Sequence, residues 1–141
     1  MPSLQDRAPA ATVVKGAAGR SVADAAMRGD AVAVRTLVAS GADVNVAQGD
    51  GMTALHWAAE RGDARLMSAL LVAKPKVSAV TRIGAYTPLH IAAKSGNADV
   101  IAALFKAGSD VKATTTGGTT ALHLAAKAGN AKAIEALIAA G

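Results

Sequence analysis

The chain has 141 residues, a formal net charge of +5 and a pI of about 9.9. It carries no cysteine, which excludes a disulfide framework and a thiolate metal site. Apolar residues make up 52%, but alanine supplies much of that and Phe, Trp and Tyr occur once each. This excludes one large core of bulky side chains and favours thin, closely packed helices.

In chain order, residues 1–20 come first. They contain Asp6, Pro9, Gly16 and Gly19 and no long apolar run, so they do not read as a secretory leader. A flexible N-terminal arm is expected, with Val13 and Val14 available to dock on the first helical unit and cover it. The missing leader tilts the compartment toward the cytoplasm without naming it. No stretch approaches the ~18 apolar residues of a membrane span.

From residue 21 the chain repeats itself. Thr53-Ala54-Leu55-His56-Trp57-Ala58-Ala59 returns as Thr87-Pro88-Leu89-His90-Ile91-Ala92-Ala93 and as Thr120-Ala121-Leu122-His123-Leu124-Ala125-Ala126, at offsets of 34 and 33 residues. Gly29, Gly62, Gly96 and Gly129 follow the same period, which extends it back to a degenerate unit near Ser21. Four units result, at 21–49, 50–82, 83–115 and 116–141. A fixed period of this size predicts a solenoid, because one unit is too small to bury its own apolar face and must stack on the next.

Each unit reads as helix, turn, helix and extended arm. Thr53, Thr87 and Thr120 are placed as N-caps of the first helices, and Pro88 suits the first helical position. The periodic glycines end those helices. Asp30, Asp63, Asn97 and Asn130 then cap the second helices. Val34, Leu37 and Val38 begin a series at i, i+3 and i+4 continued by Met67, Leu70 and Leu71, by Ile101, Leu104 and Phe105, and by Ile134, Leu137 and Ile138, which predicts one apolar stripe per second helix. Gly41 and Gly108 close second helices. The polar turns Gly49-Asp50-Gly51 and Thr116-Gly117-Gly118 predict arms.

These residues closely resemble ankyrin repeats over about residues 21–141. The pattern is carried by Gly51, Thr53, Leu55, His56, Ala58, Ala59, Gly62, Leu70 and Leu71 in one unit, and by Thr87-Pro88-Leu89-His90 and Gly41-Ala42-Asp43-Val44-Asn45 in others. The resemblance implies an all-α solenoid of helix-turn-helix units with β-hairpin-like arms. It implies protein binding on a concave face formed by arm tips and first helices, and no catalysis or cofactor. It also implies that the motif histidines hydrogen-bond to the Thr and across repeats. The alanine-rich, Asp/Asn-capped style looks bacterial. The chain departs from the pattern at Lys74-Pro75-Lys76, where Gly-Ala-Asp is usual. It departs again in the third unit, which has one extra residue between Ser78 and Thr87 and Ala85 where Gly is usual. A different helix end and a displaced arm are expected there.

No residues suggest a reaction. Stacked helices sit about 8–10 Å apart, so His56, His90 and His123 are too distant to share a zinc ion. The glycine-rich turns lack the lysine and following helix of a phosphate loop. Trp57 occupies the place of Ile91 and Leu124, which predicts packing between units. Met52, Tyr86 and Thr119 sit where an arm meets a first helix. Arg28, Arg61, Lys94 and Lys127 end first helices, where stacking would align them in a ladder. A cation also complements a helix C-terminus, so the ladder has a local explanation as well. With Asp50 and Glu60, these residues form the expected partner surface, suited to a protein with an acidic segment.

An alternative is that the chain is a regulatory or targeting segment of a longer protein. Gly141 stands where a second helix closes with no polar capping unit after it, so a fragment or end-to-end association is expected if the chain is not a monomer. Charge-driven nucleic-acid binding ranks lower, because acids are interspersed and the longest basic cluster is Lys74-Pro75-Lys76.

Overall fold

The computed structural model describes residues 21–141, and the arm expected over 1–20, with Val13 and Val14, lies outside them. Among the described residues there are eight helices and no strand. They are α1 (Val22–Met27), α2 (Ala31–Ala39), α3 (Ala54–Arg61), α4 (Ala64–Leu71), α5 (Pro88–Ser95), α6 (Ala98–Lys106), α7 (Ala121–Ala128) and α8 (Ala131–Ala140). The first helices α1, α3, α5 and α7 pack in one row. The second helices α2, α4, α6 and α8 pack in another, each against its own first helix. These helix contacts all join near neighbours along the solenoid.

Local chemistry sets the helix boundaries. Thr53, Thr87 and Thr120 cap α3, α5 and α7, and Pro88 opens α5. Asp30, Asp63, Asn97 and Asn130 cap the second helices through side-chain oxygens that accept a first-turn N–H. Gly62, Gly96 and Gly129 end α3, α5 and α7 in the left-handed conformation.

The apolar stripe of the second helices is rotated from its expected position. Val34, Leu37, Met67, Leu70, Ile101, Leu104 and Leu137 are buried, but Phe105 and Ile138 are exposed. The i−1 residues Leu66, Val100 and Ala133 are buried instead. Residues on a helix follow at about 100°, so i−1, i and i+3 span one arc, and i+4 lies about 90° from its centre. Each second helix is wedged between its own first helix and the neighbouring second helices, and that wedge selects the arc.

Lys74 and Ala85 take left-handed backbone conformations, at φ 53° and 54°. Their counterparts in other units are Gly41 and Gly108, and Gly51 and Gly118, all at positive φ. Pro75 follows Lys74 and has no N–H. The bonds by which Ala42 and Ser109 donate to the Leu37 and Leu104 carbonyls, both at 3.0 Å, thus have no counterpart after α4. The different helix end expected at Lys74-Pro75-Lys76 is this missing bond. Lys74→Gly and Ala85→Gly should each raise the unfolding free energy by about 0.5–1 kcal/mol, because glycine removes the steric cost of positive φ. Chemical denaturation of each variant checks this, and a lower midpoint would contradict it.

The arms, expected as β-hairpin-like, are closed by backbone bonds from Gln48 N–H to the Met52 carbonyl (2.9 Å), from Thr81 to Tyr86 (3.0 Å) and from Thr115 to Thr119 (2.9 Å). The middle closure spans one residue more than the others, so the extra residue of the third unit sits at that arm's tip. The arm keeps its place in the row: Arg82 N–H donates to the Asp50 carbonyl and Thr116 N–H to the Gly84 carbonyl, both at 2.9 Å.

Candidate functional site

The motif histidines tie arms to helices. His56 and His90 are buried, and each Nδ1 accepts the N-cap amide N–H of Thr53 or Thr87, at 3.1 and 3.0 Å. A nitrogen that accepts an amide N–H carries no proton, so the proton sits on Nε2. Nε2 therefore donates to a carbonyl of the following arm: His56 to Tyr86 at 2.8 Å, His90 to Ala113 at 3.0 Å. Both rings are held neutral. Burial depresses their pKa values below 6.5, partly opposed by the carbonyl bonds and, for His56, by Asp50. His123 makes the same contacts to Thr120 but lies exposed in the last unit. Among the described residues no three His, Asp or Glu side chains converge as a metal-binding group. No helix there is long and apolar enough to cross a membrane.

The fold places Tyr86 with care. Its carbonyl accepts from His56, its N–H donates to Thr81 Oγ1 at 3.0 Å, and its ring meets His90 edge-on at 6.1 Å. Between this arm, the preceding arm and helices α3 and α5 runs a groove of about 620 Å³. Gly49, Asp50 and Met52 come from the preceding arm and Glu60 from α3, while Thr81, Arg82, Ile83 and Tyr86 come from the longer arm and Ile91 and Lys94 from α5. Asp50, Met52, Glu60, Tyr86 and Lys94 of the expected partner surface thus meet in one place. Arg28, Arg61, Thr119 and Lys127 are outside its lining. Gly49, Thr81, Arg82, Ile83 and Ile91 also line it and were not among the expected partner residues. For Thr81, Arg82 and Ile83 the extra residue in that arm was the only signal.

The four helix-ending cations fall into two registers. Arg28 and Arg61 directly precede their glycines, whereas Lys94 and Lys127 stand one residue earlier, level with Met27 and Glu60. One residue on a helix is a turn of about 100°, so the two pairs point differently. The Arg61 guanidinium lies over Gly29, and its Nη1 donates to the Met27 carbonyl at 3.3 Å. Arg61 thereby satisfies the C-terminal end of the preceding first helix. Ser95 occupies the same register and reaches back likewise, from Oγ to the Ala59 carbonyl at 3.0 Å. Met27, Glu60, Lys94 and Lys127 form the other row, an apolar residue, an acid and two cations.

Trp57 is half-buried, against the core on one side. Its indole N–H donates to Gln48 Oε1 at 2.8 Å, and Gln48 Nε2 donates to Asp24 Oδ1 at 2.6 Å. The ring thus links the first unit, the first arm and α3, as its expected packing between units requires.

A search of characterised proteins finds no significant match to the sequence. The family model for ankyrin repeats (3 copies) matches residues 22–115 and 78–141, which together span nearly all of the described chain. With that match and four stacked helix pairs, the chain belongs to the ankyrin repeat family.

Proposed function

We propose that this chain is a non-catalytic scaffold that holds a protein partner on its concave face, against arm tips and first helices. Ankyrin repeats are generally protein–protein interaction modules, and the family is typically non-catalytic. The observation that carries the reading is the 620 Å³ groove, which gathers Asp50, Met52, Glu60, Tyr86 and Lys94 on rigid supports. Such a site binds by preorganised complementarity, since little ordering is required of its own side chains.

Lys94 and Lys127 share a register and are exposed, which supports an acidic partner segment running over the third and fourth units. Arg28, in the other register, and Thr119 are further candidates of the concave face. Arg61 contributes less to this surface, because its guanidinium is turned back over Gly29 of the preceding helix.

The test is a paired capture from native lysate with wild type and the Lys94→Glu/Lys127→Glu variant, followed by titration of what is captured. A partner held by wild type should bind the variant about tenfold or more weakly, with the circular dichroism of the two unchanged. Equal affinity would remove the acidic-segment reading.

A further inference from the structure

We infer that Ile83, raised by the extra residue of the third unit's arm, is the anchor that selects the partner, and that the partner segment places an apolar side chain beside it, flanked by a cation on the second unit's side and a carboxylate on the third's. The inference rests on the concave-face reading above and adds the chemistry of the occupant.

Three observations carry it. The first is position. Ile83 is 89% exposed, more than any other large apolar residue among those described. A single exposed apolar residue means little by itself. Ile83, however, edges a groove that also carries Met52, Tyr86 and Ile91, so its surface continues into an apolar floor.

The second is rigidity. The Thr81 hydroxyl donates to the Ile83 carbonyl at 2.8 Å and accepts the Tyr86 N–H, which staples the longer tip from inside. Gly84 takes positive φ at the added residue's place, and Ala85 takes the positive φ that Gly51 and Gly118 hold in the other arms. Ala85 bears a steric cost that the glycines of the other arms avoid. An exposed isoleucine on a tip held in a costly conformation has no folding role that would retain it.

The third is charge. The acids of the groove, Asp50 and Glu60, belong to the second unit. Of the cations, Lys94 belongs to the third, while Arg82 closes the second unit at the tip of the next arm. Arg82 Nη1 donates to the Gly49 carbonyl at 2.8 Å, which draws its guanidinium back to the preceding arm, so Lys94 is the cation that marks the third unit's side. Asp50 Oδ1 accepts the Met52 N–H, which orients the carboxylate without neutralising it. A segment crossing from Glu60 on the second unit to Lys94 on the third therefore meets negative, apolar and positive surface in that order. An extended segment with a basic residue, a branched aliphatic or aromatic residue and an acidic residue in sequence matches it.

The probe is a phage-displayed library of random linear peptides, panned on the whole chain. Enriched peptides should share the basic–apolar–acidic order. Their affinity should fall about tenfold or more on Ile83→Ser, a change at an exposed tip that leaves the fold intact. It should also fall on Lys94→Glu and return when the acidic residue of the peptide is changed to lysine, a rescue that a structural role for Lys94 would not produce. Peptides that ignore Ile83→Ser and Lys94→Glu but are lost on Lys127→Glu would overturn the anchor and leave the concave-face reading standing. Peptides indifferent to every one of these changes would remove both. Failure to enrich any peptide above background would overturn the anchor.

Discussion

His56→Ala should lower the unfolding free energy by about 3 kcal/mol, and His123→Ala by less than about 1 kcal/mol, although both stand in the same Thr-x-Leu-His motif. The difference comes from the next unit. Removing the buried His56 ring opens a cavity, strips the acceptor from the Thr53 N–H and leaves the Tyr86 carbonyl without its donor. Removing the exposed His123 ring costs only its local bonds to Thr120, a capping effect. Urea unfolding of both variants checks this, and equal losses would contradict it. The same rings make stability depend on pH. Their folded pKa values lie below the unfolded value of about 6.5, so above it both states are neutral and stability is complete. As pH falls, the unfolded chain takes up protons that the folded chain refuses. Stability should decline from about pH 6.5 down to the depressed folded values. A flat profile between about pH 7 and pH 5 would exclude neutral buried imidazoles.

Gly51→Ala should cost about 2–3 kcal/mol, while Gly118→Ala, at the equivalent place two units on, should cost about 1 kcal/mol. Both glycines have positive φ, 87° and 79°, and share that backbone penalty. They differ in what a Cβ would meet. At Gly51 it would lie 2.7 Å from the backbone nitrogen of Arg82 and 3.0 Å from Thr81 Cα. At Gly118 no atom lies within 4 Å. Backbone cannot rotate away as a side chain can, so Gly51→Ala must push the arms apart and strain the bond from Arg82 N–H to Asp50. The variant should also blunt partner binding at the groove, because Asp50 and Arg82 line it. Thermal unfolding gives the first readout, and comparable losses at the two sites would show that the arms yield freely.

Both contrasts mark how far the sequence reaches. The caps Thr53, Asp63, Thr87, Asn97 and Pro88 were legible because each acts within its own helix turn. The glycine C-caps follow the same rule. The stripe of the second helices was legible in part: Leu37, Leu70 and Leu104 needed only helical spacing, but the exclusion of Phe105 and the inclusion of Val100 depended on how neighbouring helices wedge together. The cation ladder failed for a related reason. Lys94 and Arg61 look alike beside their glycines, yet one residue of offset turns Lys94 toward the groove and Arg61 back onto Gly29.

The sequence alone determined the repeat period, the helix boundaries, the family and the absence of any thiol chemistry, since these depend on residue identity and on hydrogen bonds a few positions apart. Only the tertiary structure decided which histidines are sealed, which cations share a row, and that Ile83 stands at the edge of a groove with Asp50 and Glu60 on one side and Lys94 on the other. Those outcomes are contacts between residues about one repeat apart, and each is set by whether a neighbouring unit is stacked there and by the angle at which it meets the first.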